Sequence, residues 1–192
     1  FFTINTSDRL NFSIAYKGVR ALGKYQHQLT STGIFRTTLN YQTLNRKYQL
    51  KSHFVSHNLM KQENGGLNSL AMEQYISKEE EFEDRSLLEM NFENAQSTLY
   101  GKRFYLDHLY HLTEPRPDNT SALTFGHIFN FDYKKFQFEQ TKAMNDIFGE
   151  SFDSANLNDV VRLEELTNEA YARFTNEVLG DLKAKASITT YN

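Results

Sequence analysis

The chain carries 6 histidines and a run of acids, the residues best suited to metal or proton chemistry, and their spacing argues against both uses. His53 and His57 share a parity. On a strand rising about 3.3 Å per residue they stand roughly 13 Å apart, too far to share one metal ion. His108 and His111 differ in parity, so a metal site built on them needs cross-strand partners that the sequence does not identify. Glu79-Glu80-Glu81-Phe82-Glu83-Asp84 has carboxylates for calcium but lacks the alternating oxygen ligands and central glycine of an EF-hand. It reads as a solvated acidic loop. Asn64-Gly65-Gly66 is a turn element, since no Lys-Ser/Thr pair follows to cradle a phosphate. With no cysteine, neither a disulfide framework nor a thiolate metal site can form. No Ser/His/Asp or Cys/His arrangement emerges, and paired carboxylates occur only in runs. The expectation is a protein that is not an enzyme and holds no metal or cofactor.

What remains is a set of charges and amides at regular positions. Arg36, Asn40, Lys51, Glu89, Arg103 and Asp107 fall on one parity of their segments. Phe12, Ile14, Leu39, Leu50, Phe54, Met90, Leu106 and Phe125 fall on the other. Period-2 alternation means strands with one polar and one apolar face. Two settings fit it. In a soluble sheet the charges are a solvated face. In a membrane barrel they line a wet lumen and filter small solutes electrostatically, while the apolar set meets lipid.

The elements that would position these residues follow from the alternation. It predicts strands over about 10–17, 33–43, 48–57, 85–93, 98–112, 122–132 and 136–138, and a last one through Leu182, Ala184, Ala186 and Ile188. Short connections fall near 6–9, 44–47, 94–97, 133–135 and 175–181, and long ones near 18–32, 58–84, 113–121 and 141–158. They alternate throughout, as in an outer-membrane barrel with short periplasmic turns and long extracellular loops. Pro115 and Pro117 sit in one connection, where a missing N–H costs no ladder bond. Tyr41 and Tyr48 flank a short turn and belong to the inner aromatic girdle; Tyr16 belongs to the outer one. Over 162–174 the residues leave helix and strand open: Leu163, Leu166, Ala170 and Phe174 make a helical stripe, but Gly180-Asp181 is a hairpin signal.

Composition is compatible with both settings. Mean hydropathy is −0.62, a value that a barrel with a wet lumen and polar loops shares with soluble proteins. Aromatic residues reach 14%, enough for a lipid face with girdles or for an aromatic-rich soluble sandwich. A formal net charge of −3, with basic residues scattered among acids, excludes a nucleic-acid footprint. No run approaches the roughly 20 apolar residues of a spanning helix, and no signal peptide is visible. The chain opens on strand-like Phe1-Phe2-Thr3-Ile4-Asn5 and closes inside another strand. The expectation is one segment, 1–192, of a longer barrel.

Several stretches resemble the putative porin family of Bacteroidetes outer membranes. They are Tyr16-Lys17-Gly18-Val19-Arg20-Ala21-Leu22-Gly23-Lys24-Tyr25-Gln26-His27, the hairpin 33–48 with the later Asn64-Gly65-Gly66, Phe92-Glu93-Asn94-Ala95, Phe104-Tyr105-Leu106-Asp107-His108 and Phe148-Gly149-Glu150-Ser151. The resemblance covers nearly the whole chain. It implies an all-β antiparallel transmembrane barrel in the bacterial outer membrane, larger than this segment, and a strand over 162–174. The segment would contribute roughly nine or ten strands. The implied role is passive diffusion of small hydrophilic solutes. The alternative is a structural or interaction barrel serving an outer-membrane assembly or secretion complex. The implied partners are the lipid bilayer and other outer-membrane proteins, with no nucleic acid.

Overall fold

A computed structural model describes residues 1–113, 121–142, 147 and 156–192. Eight strands form one antiparallel sheet in strict chain order. They are β1 (Phe2–Ser7), β2 (Leu10–Ala21), β3 (Thr30–Gln42), β4 (Tyr48–Glu63), β5 (Ala95–His111), β6 (Ser121–Gln140), β7 (Leu157–Asn176) and β8 (Gly180–Tyr191). Neighbours in sequence are neighbours in space, the signature of an up-and-down wall. β1 pairs only with β2 and β8 only with β7, so the sheet is open. The fold is the all-β antiparallel architecture read from the alternation, with eight strands among the described residues where nine or ten were expected.

Local chemistry explains the turns. At 43–47 the Asn45 side chain accepts from Thr43 Oγ1 (2.7 Å) and Lys47 N (3.1 Å), pinning a tight hairpin. Between β7 and β8, Asn176 Oδ1 accepts from Val178 N (2.9 Å) and Leu179 N (3.1 Å), and Gly180 takes φ 76°. That left-handed conformation suits glycine, so Gly180 closes the hairpin without strain. β7 runs unbroken from Leu157 to Asn176. The helical stripe at 163–174 is overruled by pairing on both edges, to β6 and to β8.

Three expectations are corrected. The segment 85–93 is not a strand: it holds a 3-10 turn, Arg85–Leu87, then irregular chain with one isolated bridge, Leu67 to Met90. Its alternation is real, but Leu88, Met90 and Phe92 alternate into a small loop core. No turn occurs at 133–135 either, because β6 continues through it to Gln140. The apolar parity changes there, from Phe129 and Phe131 to Phe136 and Phe138, and a parity change mimics a break. With these corrections the connection at 112–120 lies at the short-turn end, beside those at 8–9, 43–47 and 177–179. The connections at 22–29, 64–94 and 141–156 share the opposite end. Pro115, Pro117 and Phe148-Gly149-Glu150-Ser151 lie outside the described residues.

The buried apolar residues sit in and beside the 64–94 loop. Ala71, Leu88 and Met90 form its core, with Tyr25, Leu67 and Phe82 against it. One helix, α1 (Ser69–Ser77), is capped by Asn68, whose Oδ1 accepts from Ala71 N at 2.8 Å. Gln26 Nε2 donates to Ser86 O (2.8 Å) and Asn64 Nδ2 to Gln26 O (3.1 Å), tying this loop to the β2–β3 loop. Burying Leu88 stabilises this cap by about 1.5–3 kcal/mol. On the sheet itself the large apolar side chains are open: Ile14 is 43% exposed, Phe104 37% and Phe125 47%. No helix or second sheet covers them among the described residues.

Candidate functional site

Register decides which side chains share a face. Asn11, Asn40, Lys51 and Asp107 are consecutive partners across β2 to β5. Two residues along, Ser13, Thr38, His53 and Tyr105 form the next row. The one beyond joins Ala15, Arg36, Val55, Arg103, Asp132 and Glu165. Arg36, Asn40, Lys51, Arg103 and Asp107 therefore stand together on one polar face. Glu89 does not: it lies in the 64–94 loop, where its Oε2 accepts from Asn68 Nδ2 at 3.0 Å.

The polar face is crowded. Ser13, Thr124 and Asp132 are each under a tenth exposed, although only neighbouring strands surround them. Tyr171 on β7 reaches across β6 to Asp107 on β5, with its hydroxyl 3.4 Å from Oδ1. Gly126 makes that reach possible, since a Cβ there would overlap the Tyr171 ring. The same device recurs where the His57 ring lies over Gly101. His53 stacks on Tyr105 with centroids 5.0 Å apart and 15° between planes. Side chains on this face thus reach one another across as many as three strands.

Charge on this face is divided. Arg36, Lys51 and Arg103 occupy β3, β4 and β5; Asp107, Asp132, Glu165 and Glu169 occupy β5, β6 and β7; Arg173, Lys183 and Lys185 follow on β7 and β8. Arg103 Nε donates to Asp132 Oδ2 at 2.9 Å across the boundary. Lys185 Nζ donates to Glu169 Oε2 at 3.0 Å. Such cross-strand pairs contribute about 0.2–1 kcal/mol each. Beside the basic side, toward the short turns, a cavity of about 470 Å³ is lined by Asn5, Asn11, Asn40, Gln42, Gln49 and Lys51. Ser7, Asp8 and Arg9 line it as well, so it offers many donors and acceptors. The described residues bring together no three His, Cys, Asp or Glu in metal-binding range.

The opposite face is apolar over the turn-side half. Phe12, Leu39 and Leu106 share one row, and Ile14, Phe54 and Phe104 the next. Leu50 and Phe125 belong to the same face. Met90 is absent from it, being buried in the loop core. Tyr41 and Tyr48, with ring centroids 6.5 Å apart, join Tyr110 near the short turns. Tyr16, Phe35 and Tyr133 mark the other limit. On β6 the band from Leu123 to Tyr133 is about 11 residues, the length that crosses a bilayer when tilted.

Two features of this face escaped the sequence reading. First, the apolar face carries a hydrogen-bonded chain. Tyr48 Oη lies 3.3 Å from His108 Nδ1, His108 Nε2 lies 3.1 Å from His127 Nδ1, and His127 Nε2 lies 3.2 Å from Asn168 Oδ1. Donation in one direction, from Tyr48 toward Asn168, satisfies every link with both imidazoles neutral. His127 falls on the parity of Phe125 and Phe129, a polar residue in an apolar row, and that was the available signal. Second, the faces exchange polarity beyond Tyr133. Val19, Leu59, Leu99, Phe136 and Val161 share a row on the face that is polar below. Arg20, Asn58, Lys102, Lys135 and Arg162 stand on the face that is apolar below. β6 and β7, at 20 residues each, are nearly twice the length a crossing needs, so their loop-side halves project past it.

Comparison with known proteins agrees with this geometry. The whole chain, residues 1–192, matches the family model described as putative porin. No curated protein and no solved structure matches it. Porins are channel-type proteins that lie in the lipid bilayer of the outer membrane, and an all-β antiparallel sheet accords with that class and location. A banded apolar face, a polar face behind it and a match along every residue converge: the chain belongs to the putative porin family.

Proposed function

We propose that this sheet is part of the wall of a closed bacterial outer-membrane barrel through which small hydrophilic solutes diffuse passively. Arg36, Asn40, Lys51, Arg103 and Asp107 face the lumen in this reading. Phe12, Ile14, Leu39, Leu50, Phe54, Leu106 and Phe125 face hydrocarbon. Backbone groups in hydrocarbon must be paired, so the free edges of β1 and β8 are closed by further strands of one larger barrel. The observation that carries the reading is the divided charge on the crowded face. Cations on β3–β5 and on β7–β8 flank carboxylates on β5–β7, so bands of opposite charge alternate along the wall of a water-filled lumen and act on dipolar and charged solutes in passage.

Planar-bilayer conductance of the full-length protein tests the proposal. Stepwise conductance is expected, with a cation-to-anion ratio that rises when Arg36 and Arg103 are replaced by Gln. Insertion without conductance would mean a filled, structural or interaction barrel. Failure to insert at all would defeat the membrane assignment as well.

A further inference from the structure

We propose that Lys102, Lys135 and Arg162 form a cradle for the phosphate of a membrane lipid, on the outward face at the upper limit of the apolar band. The inference rests on the reading of that band as the bilayer-crossing zone. Lys102 lies opposite Tyr133, in the girdle row itself. Lys135 and Arg162 lie directly opposite one another in the next row, with Tyr100 on the other side of Lys135. Three cations thus occupy three adjacent strands spaced about 4.8 Å apart.

Such an arrangement is unfavourable by itself. Like charges directly opposite on a sheet repel. Some strand cations are neutralised, Arg103 by Asp132, Arg173 by Asp181 and Lys185 by Glu169, whereas others such as Arg36 and Lys51 stand apart from one another without an ion pair among the described residues. Among the described residues, none of the three cradle cations has a carboxylate within ion-pair reach. Lys135 Nζ donates to Gln137 Oε1 at 2.6 Å and lies 5.9 Å from the Tyr100 ring centroid, contacts that leave its charge uncompensated. Glu164, beside Tyr133, is the nearest carboxylate on this face by register. A phosphate supplies the missing anion. Its level is fixed: the acyl chains of the same lipid lie along Phe104, Phe129 and Phe131 below, while long basic side chains reach the headgroup.

The test uses the full-length protein, delipidated in detergent. It is offered phosphatidic acid or diacylglycerol with the same acyl chains, and native mass spectrometry counts the lipid retained. Retention of phosphatidic acid but not of diacylglycerol is expected. The triple variant Lys102→Gln/Lys135→Gln/Arg162→Gln should weaken retention on the order of a hundredfold, about fivefold for each basic residue near an anionic surface. Glu164→Gln should strengthen it. If the triple variant does not fold, Arg162→Gln alone and Glu164→Gln should still move retention in opposite directions. Equal retention by wild type and Arg162→Gln overturns the cradle. Displacement of the lipid by an equal concentration of inorganic phosphate shows a free-phosphate site and overturns the lipid assignment. Conductance recorded on the same samples separates the two ideas: a conducting barrel indifferent to these substitutions sinks only the cradle, and a wild type that never inserts sinks the porin reading.

Discussion

The turn-side and loop-side halves of the same strands obey opposite rules. Along β6, Phe125, Phe129 and Phe131 stand on one face, and beyond Tyr133 Phe136 and Phe138 stand on the other. The ladder runs through the change without a bulge, since the β5–β6 and β6–β7 registers are continuous over it. Backbone pairing therefore does not determine where apolar residues go. In the barrel proposed above, the medium outside the wall does. Beside hydrocarbon the outward face must be apolar and the inward face can stay wet. Past the girdle, where the outside is polar, the outward face turns basic and the inward face gathers Val19, Leu59, Leu99, Phe136 and Val161.

Arginine substitutions on the outward face should separate the two halves most strongly. Leu39→Arg, in the middle of the apolar band, should destabilise by roughly 2–4 kcal/mol. Gln137→Arg, on the same face of the loop-side half, should fall within about 0.5 kcal/mol of wild type. Asn40→Arg, one residue from Leu39 on the polar face, should also cost far less than Leu39→Arg. Urea unfolding in bilayers measures all three, and equal tolerance at Leu39, Asn40 and Gln137 removes the distinction between the halves and between the faces.

The chain Tyr48–His108–His127–Asn168 places polar groups on the otherwise apolar face. His127→Leu leaves a ring nitrogen of His108 and the Asn168 amide oxygen without partners, at a cost of about 1–3 kcal/mol. His108→Leu/His127→Leu removes both rings and should be closer to neutral than the single change. A double variant as damaging as the sum of the singles would show that the chain is not a unit.

The sequence was most legible where one rule applied along a whole segment. In β2, β3 and the turn-side parts of β4 and β5 the residues read as sharing a face do share one, because alternation and tight turns such as 43–47 agreed there. It was misleading where the rule changed. The parity switch after Tyr133 imitated a turn, and the loop core of Leu88 and Met90 imitated a strand. The two errors each added a connection, so the short-long alternation survived with the wrong members in it. The helical stripe at 163–174 shows the converse: ladder pairing on two sides outweighs an intrinsic preference worth a few tenths of a kcal/mol per residue. The His108–His127 contact was not visible, since it requires the β5–β6 register and not the parity of either strand alone.

Smaller effects separate the wall from its loops. Arg103→Ala should cost roughly 0.2–1 kcal/mol in stability, as for other cross-strand ion pairs. Its effect on conductance should be the larger signal, because it removes a cation from the divided polar face. The loop counterpart is Asp84, which caps the 3-10 turn by accepting from Ser86 Oγ (2.7 Å) and Ser86 N (3.0 Å). These bonds, the side-chain one first, hold its carboxyl below the usual aspartate range. A depressed carboxyl pKa contributes stability that is present above the unfolded value and disappears as pH falls through the folded one. The cap at Arg85–Leu87 should therefore loosen only in acid, below the ordinary titration of aspartate, while Leu88 stays packed. NMR titration of Asp84 in the wild type and in Ser86→Ala measures it. The midpoint should rise in the variant because the stronger of the two bonds is gone, and an unmoved midpoint would mean that the turn is held by the burial of Leu88 and Met90 rather than by its cap.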